Sequence, residues 1–147
     1  MANRIHSKGG FRYEEFTATA VAITPGMLIE ETSAGLVQAH STEGGRGEAM
    51  FATEDALQAH TKTDNYAVSA LISTIFPYKG SVVNALIADG QDISIGDELI
   101  SDGAGALKAR SDASSGVTVQ QTIAIAEEAR DLTGSSAVAI ISAVRIV

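Results

Sequence analysis

Apolar and polar residues alternate with a period of two along much of this chain. The alternating apolar residues are Val117, Val119, Ile123 and Ile125 in one run, Val138, Ile140, Val144 and Ile146 in a second, and Tyr66, Val68, Ala70, Ile72 and Phe76 in a third. This spacing places apolar side chains on one face of a half-buried strand. Pro-Gly, Asp-Gly and Gly-Gly pairs separate the runs at short intervals, as in barrels and sandwiches. We therefore predict an all-β fold: a small β-barrel, β-tulip-like or sandwich body.

Part of the chain repeats itself without gaps. Residues 23–41 align on residues 93–111, and six of these 19 positions are identical: Ile23/Ile93, Gly26/Gly96, Ala34/Ala104, Gly35/Gly105, Ala39/Ala109 and Ser41/Ser111. Each copy leads through a polar loop into an Ala-rich segment that ends in acids, which gives repeat units of about 23–55 and 93–128. Duplication of a strand–turn–strand unit is the preferred interpretation, and chance similarity among common Ala and Gly residues is the alternative.

Glycines mark the turns of both predicted hairpins. Tight turns need residues with positive φ, which glycine adopts without steric cost. The predicted structural turn positions are Gly26, Gly35, Gly96, Gly103 and Gly105.

The first twelve residues differ from the rest of the chain in charge. They contain Arg4, Lys8 and Arg12 and no acid, whereas the remaining residues carry 7 basic and 18 acidic groups. We expect residues 1–12 to be a flexible, extended basic arm before a single β domain at 13–147. A charge opposite to that of the body also suits a strap that orders on an acidic neighbouring surface. The partner-binding residues would then be Asn3, Arg4, Ile5, His6, Lys8 and Arg12.

The acidic body argues against nucleic-acid binding, because phosphate contacts require clusters of Lys and Arg. No apolar run approaches the roughly 20 residues of a membrane helix, and no signal peptide is visible at the N-terminus. We therefore expect a soluble protein made in the cytoplasm, with neither nucleic acid nor membrane as its partner.

Residue types that carry chemistry are few and scattered. The chain has no Cys, and its histidines, His6, His40 and His60, lie in no catalytic or metal-binding spacing. His40 occupies the repeat position of Arg110 and is predicted to be a solvated strand residue. Neighbouring carboxylates on a strand point to opposite faces and do not form a facing catalytic pair. We expect no catalytic residue, no cofactor and no metal ion.

Residues 85–108 resemble a signature of small structural proteins of tailed bacteriophages. Residues 51–55, 123–129 and 138–147 match the same layout of turns and strands. These relatives are the head decoration, or structural cement, proteins. The resemblance covers the chain from about residue 15 to the end.

The resemblance implies a compact β-barrel or β-tulip body that binds the outer surface of an expanded phage head. It implies a homotrimer that clamps neighbouring subunits of the major capsid protein, a location on the virion and synthesis in the cytoplasm of a bacterial host. Two alternatives remain open. One is another virion or cell-surface β module, such as a tail or fibre piece or a carbohydrate-binding domain; the other is a small enzyme on a barrel scaffold. Sugar binding needs exposed aromatic rings, and this chain has no Trp and three tyrosines.

Overall fold

The computed structural model describes residues 4–111, 119–134 and 139–147. The fold is all-β, as the alternating pattern predicts, and the helical segment Ala56–Gln58 is a single 3-10 turn. The strands are β1 (His6–Lys8), β2 (Phe11–Thr17), β3 (Ile29–Glu31), β4 (Val37–Ala39), β5 (Phe51–Ala52), β6 (Leu71–Pro77), β7 (Val82–Ile87), β8 (Asp92–Ile93), β9 (Glu98–Ser101), β10 (Leu107–Ala109), β11 (Ala124–Ala126), β12 (Arg130–Asp131) and β13 (Ile140–Ile146). Within the described ranges, no helix is long and apolar enough to span a membrane.

The second half of the chain forms a closed five-stranded barrel. Its strands follow the order β7-β10-β9-β11-β13, and pairing of β13 with β7 closes the ring. The β7–β10 pair is parallel, with Ile87 opposite Leu107, whereas the other pairs are antiparallel. The barrel alternative is therefore the correct one for the predicted body.

The first half of the chain forms a ring with the same order, β2-β4-β3-β5-β6. β6 pairs with both β2 and β5, and β3 pairs with β4. Two single-residue bridges complete the ring: a parallel bridge from Ala18 to Val37 and an antiparallel bridge from Leu28 to Phe51. The chain is thus built from two barrels of like topology, which we call the first and second barrels.

The strand registers of the two barrels agree residue by residue. Ile29 lies opposite Ala39 in the first hairpin, and Leu99 lies opposite Ala109 in the second, which matches the gapless sequence repeat. The agreement continues beyond the repeat: Ala52 lies opposite Thr74, as Ala126 lies opposite Val144. The structural repeat therefore extends from the hairpins to whole barrels.

Two apolar clusters fill the molecule. One lies in the first barrel and is formed by Ala18, Ile23, Ile29, Val37, Met50, Ala52, Tyr66, Ile72 and Phe76. The other lies in the second barrel and also takes in Leu28, Phe51 and Ile75 from strands of the first. Because successive strand residues point to opposite faces, Ile29 enters one core and Leu28 the other. The two barrels are therefore joined by a shared core.

The five predicted turn glycines all have φ values between 73° and 93°. Gly26 and Gly105 also lie at the junction between the barrels. Gly26 O accepts a hydrogen bond from Leu86 N at 2.8 Å, and Gly105 O accepts one from Leu28 N at 2.8 Å. A methyl group on Gly26 would lie 2.8 Å from Ile141 Cδ1, whereas one on Gly96 would meet nothing within 4 Å.

Two details of the predicted strand pattern are wrong. Val68 precedes a left-handed residue, Ser69, in a turn and is 58% exposed, so the central strand begins only at Leu71. Val119 is 71% exposed and lies outside β11, in which Ala124 and Ala126 are buried and Ile125 is half-buried. Val117 and Val138 lie outside the described residues.

Residues 4–12 belong to the folded body and do not form an extended arm. β1 pairs with β7, β2 begins at Phe11, and Ile5 is fully buried in the core of the second barrel. Ile5 also donates its backbone N–H to Glu54 Oε2 at 3.0 Å. The basic charge of the segment gave no sign that one aliphatic side chain anchors it, and the boundary placed after Arg12 is therefore wrong.

Candidate interaction surface

Aromatic side chains are exposed along β2. Phe11 and Tyr13 are 38% and 49% exposed. They are two residues apart on one strand and so project from the same face of the sheet. The His6 ring lies 4.4 Å from the Phe11 ring, measured between centroids. We call these three residues the aromatic surface.

Hydrogen bonds hold one ring of this surface in place. Tyr13 Oη lies 3.0 Å from Ser73 Oγ on β6 and donates to Glu15 Oε1 at 3.1 Å. Exposed aromatic side chains that are already ordered lose little conformational entropy on binding, and they are enriched among the residues that dominate protein interfaces. The aromatic surface therefore has the composition of a contact site for another macromolecule.

The predicted partner-binding residues lie in different environments. His6 belongs to the aromatic surface, and Arg4 and Lys8 are exposed. Arg12 Nε pairs with Glu14 Oε1 at 3.1 Å, and its guanidinium lies 4.2 Å above the Phe76 ring. Ile5 is buried and faces no partner, whereas Asn3 lies outside the described residues.

A groove of about 460 Å³ opens at one end of the first barrel. Apolar side chains form its floor, and charged ones form its rim. The floor consists of Phe16, Ile29, Met50 and Phe76, and the rim consists of Arg12, Glu14, Glu30, Glu31, Arg46 and Glu48. We call this groove the open mouth; its rim has four carboxylates and two guanidinium groups.

His40 lies beside the open mouth and is fully buried, so its predicted position on a solvated strand face is wrong. Nδ1 lies 2.8 Å from Ser101 Oγ of the second barrel, and Nε2 lies 3.3 Å from Arg46 O. Its counterpart Arg110 is exposed and pairs with Glu98 at 2.7 Å. The sequence pattern did not predict that His40 is buried, because the burial comes from contact between the two barrels and not from the hairpin to which His40 belongs.

Glu30 is the ionisable rim residue most tightly held by hydrogen bonds. Its Oε1 accepts hydrogen bonds from Ser41 Oγ at 2.6 Å and from Gln38 Nε2 at 2.9 Å, and its Oε2 lies 3.7 Å from His40 Nε2. Partial burial raises the pKa of Glu30, but the hydrogen bonds from Ser41 and Gln38 and the nearby His40 together outweigh it. The pKa of Glu30 is therefore below its ordinary value.

A second surface pocket, with a volume of about 290 Å³, has Glu15, Asp55 and His60 among its lining residues. Among the described residues, no hydrogen bond joins these three side chains to one another. The described part of the chain also contains no group of three or more His, Asp or Glu residues placed to hold a metal ion.

In comparisons with known proteins, the chain matches no protein-family model and no curated protein sequence.

Proposed function

We propose that this protein is a structural virion component that binds the outside of a phage head and stabilises contacts between major capsid subunits. The resemblance of residues 85–108 to head decoration proteins suggests this role. The aromatic surface is the observation that carries it, because it gives the molecule an ordered, exposed contact site beside basic residues. Such a protein acts by binding and needs no catalytic group or cofactor.

The two-barrel architecture suits a clamp. A ligand that binds only the assembled lattice stabilises that lattice by linkage. A rigid body transmits this stabilisation better than a flexible one, because little of the contact energy is lost in ordering the binder. In a homotrimer the second and third contacts become intramolecular, which raises the occupancy of each seam without any new contact.

Co-sedimentation with bare expanded heads tests the proposal. The heads are assembled from the major capsid protein encoded in the same genome, and an unrelated particle of similar size is the control. We expect saturable binding to the heads only. Replacing Phe11 and Tyr13 together by Ser should weaken binding by about tenfold or more, because aromatic anchors dominate interfaces.

Leu57→Ser is the matched control, because Leu57 is 92% exposed on the 3-10 turn and lies outside the aromatic surface. It should bind heads as the parent protein does. No saturable binding to heads, or equal loss of binding in both variants, would contradict the proposal. Deletion of residues 2–12 is unsuitable as a test, because it would remove Ile5 from the core.

The exposed ring of Tyr13 also favours a second candidate, carbohydrate binding by a virion or cell-surface module. Aromatic faces stack on sugar rings, and Tyr13 and Tyr78 are 49% and 60% exposed, whereas Tyr66 is 6% exposed. A screen of the protein against host-cell polysaccharides separates the two. Saturable sugar binding that Tyr13→Ser abolishes, together with no binding to heads, would favour this candidate.

A further inference from the structure

The N-terminal segment fills one edge of the second barrel. β1 pairs with β7, placing His6 opposite Val83 and Lys8 opposite Val82. Asn84 donates its backbone N–H to Ile5 O at 2.6 Å, and its Nδ2 donates to Arg4 O at 2.7 Å. The segment therefore binds through backbone pairing on a strand edge and through one buried aliphatic anchor, Ile5.

On the same edge of the first barrel, β4 bridges only the end of β2, at Ala18, and no described strand pairs with the stretch before it. By the matching registers, Tyr13, Glu14 and Glu15 of β2 are the counterparts of Val82, Val83 and Asn84. In the described ranges, the strand that pairs with Phe11–Thr17 is β6, on the opposite edge. Among the described residues, the edge equivalent to the β1 site is thus unpaired.

The backbone groups of this edge are directed for pairing. Ala18 N donates to Ala70 O beyond the end of β6, and Thr19 N donates to Val37 O on the other side. Because strand N–H groups alternate between the two edges, Tyr13, Glu15 and Thr17 direct theirs away from β6. An unpaired edge of this kind is a template for an added strand.

Residue types at the two sites show what the incoming strand must carry. The second-barrel counterparts of the open mouth are small or apolar and are covered: Val83, Leu99, Ile100 and Ser101 are all fully buried. Their counterparts in the first barrel are Glu14, Ile29, Glu30 and Glu31. Glu31 and Glu48 form no ion pair with any described residue. A strand that paired with β2 would place one of its side chains over the apolar floor of the open mouth. The neighbouring side chains of that strand would lie near the carboxylates of the rim.

We propose that the β2 edge and the open mouth together bind an extended, basic segment of a partner protein, with an aliphatic anchor flanked by Lys or Arg. β1 and Ile5 occupy the equivalent place in the second barrel, which is the direct precedent for this mode of binding. The acidic rim favours a basic partner, because its carboxylates would repel an incoming strand that carried acidic side chains. The proposal depends on the likeness of the two barrels and not on capsid binding, so failure to bind phage heads leaves it standing.

A peptide with the sequence of residues 1–9 is the probe, because it already has the required chemistry, with Arg4 and Lys8 around Ile5. It is titrated into the intact protein and followed by fluorescence anisotropy and by amide chemical shifts. We expect saturable binding that weakens with salt, with the largest shifts at Tyr13, Glu15 and Thr17. Ile5→Ser in the peptide should lower affinity about thirtyfold, the loss of one buried aliphatic side chain.

Two protein variants test the two parts of the site. Glu15→Pro removes an N–H that faces solvent, a place where edge strands tolerate proline, and should abolish peptide binding while the thermal midpoint stays near that of the parent. Glu31→Gln with Glu48→Gln should weaken binding about fivefold, as expected for two exposed ion pairs. Asp89→Asn with Asp92→Asn is the matched control on exposed acids of the second barrel and should bind as the parent does.

Three results would overturn the proposal. The first is no saturable binding of the peptide. The second is binding with shifts confined to β7, which would mean exchange with the protein's own N-terminal segment. The third is self-association of the peptide-free protein that Glu15→Pro dissociates, which would make a second copy of this chain the occupant. Retained binding in the Glu31/Glu48 double variant would contradict the charge requirement.

Discussion

The junction between the barrels can be tested by substituting two equivalent glycines. Gly26 and Gly96 occupy the same turn, with φ values of 90° and 93°. In each turn the residue that follows the glycine donates to a carbonyl three residues earlier at 3.1 Å. Alanine at either position therefore costs about 1–2 kcal/mol, the penalty of a left-handed backbone for a residue with a Cβ.

The two positions differ in what a methyl group would meet. At Gly26 it would lie 2.8 Å from Ile141 Cδ1, 3.3 Å from Asn84 O and 3.4 Å from Leu86 N, whereas at Gly96 it would meet nothing within 4 Å. The Ile141 side chain can rotate away, but the backbone atoms of β7 cannot. Gly26→Ala should therefore lose about 1–3 kcal/mol more than Gly96→Ala, the usual cost of overpacking.

Urea unfolding followed by circular dichroism measures both losses, with unchanged m values as the check on two-state behaviour. Adding Ile141→Ala to Gly26→Ala should recover part of the extra loss, because the two groups then no longer collide. Equal destabilisation of the two glycine variants, to within about 0.5 kcal/mol, would refute a close-packed junction at β7.

Three further predictions concern stability. Ile5→Ala should cost about 2–4 kcal/mol of unfolding free energy, because it empties a fully buried site; a loss near zero in urea unfolding would restore the view of residues 1–12 as a free arm. His40→Ala should cost about 2–4 kcal/mol, because it opens a cavity and removes one of the two hydrogen-bond partners of the buried Ser101 hydroxyl. Arg110→Ala, its exposed counterpart, should cost about 0–1 kcal/mol, and equal thermal shifts in these two variants would contradict the difference in burial. Glu30→Gln should cost about 1 kcal/mol near neutral pH. Because the pKa of Glu30 is lowered in the folded state, this difference should vanish as the pH falls through that value, and a pH-independent loss would contradict it.

The all-β fold and the hairpin repeat could be predicted because both follow from the spacing of residue types over short stretches of the sequence. Alternating aliphatics and turn glycines are short-range signals, and the 23–41 and 93–111 segments kept enough of them to align. β2 and β7 occupy equivalent places in the two barrels, but their residue types differ: Tyr13 and Glu14 of β2 correspond to Val82 and Val83 of β7. A sequence comparison therefore does not detect that these two strands are equivalent. The two-barrel architecture therefore appeared only when the strand registers were known.

The positions of Ile5 and His40 could not be predicted, for a related reason. Ile5 stands alone among polar and basic residues, so no periodicity marks it as a core residue. His40 is buried by Ser101, 61 residues later in the chain, and not by its own hairpin. The burial of both residues depends on contacts between the two halves of the molecule. The local spacing of residue types carries no information about such contacts. The exposed pair Phe11 and Tyr13 was not predicted either, because the boundary between the basic arm and the β domain was placed between them, whereas both lie on β2.

Electron cryomicroscopy of bare expanded heads incubated with the protein tests the proposed function most directly. We predict added density on the outer surface, at seams between major capsid subunits, with three copies grouped together and the Phe11 and Tyr13 face directed towards the lattice. Heads incubated with the Phe11→Ser/Tyr13→Ser variant should lack most of that density. Maps of heads with and without the parent protein that show no difference on the outer surface would contradict the account.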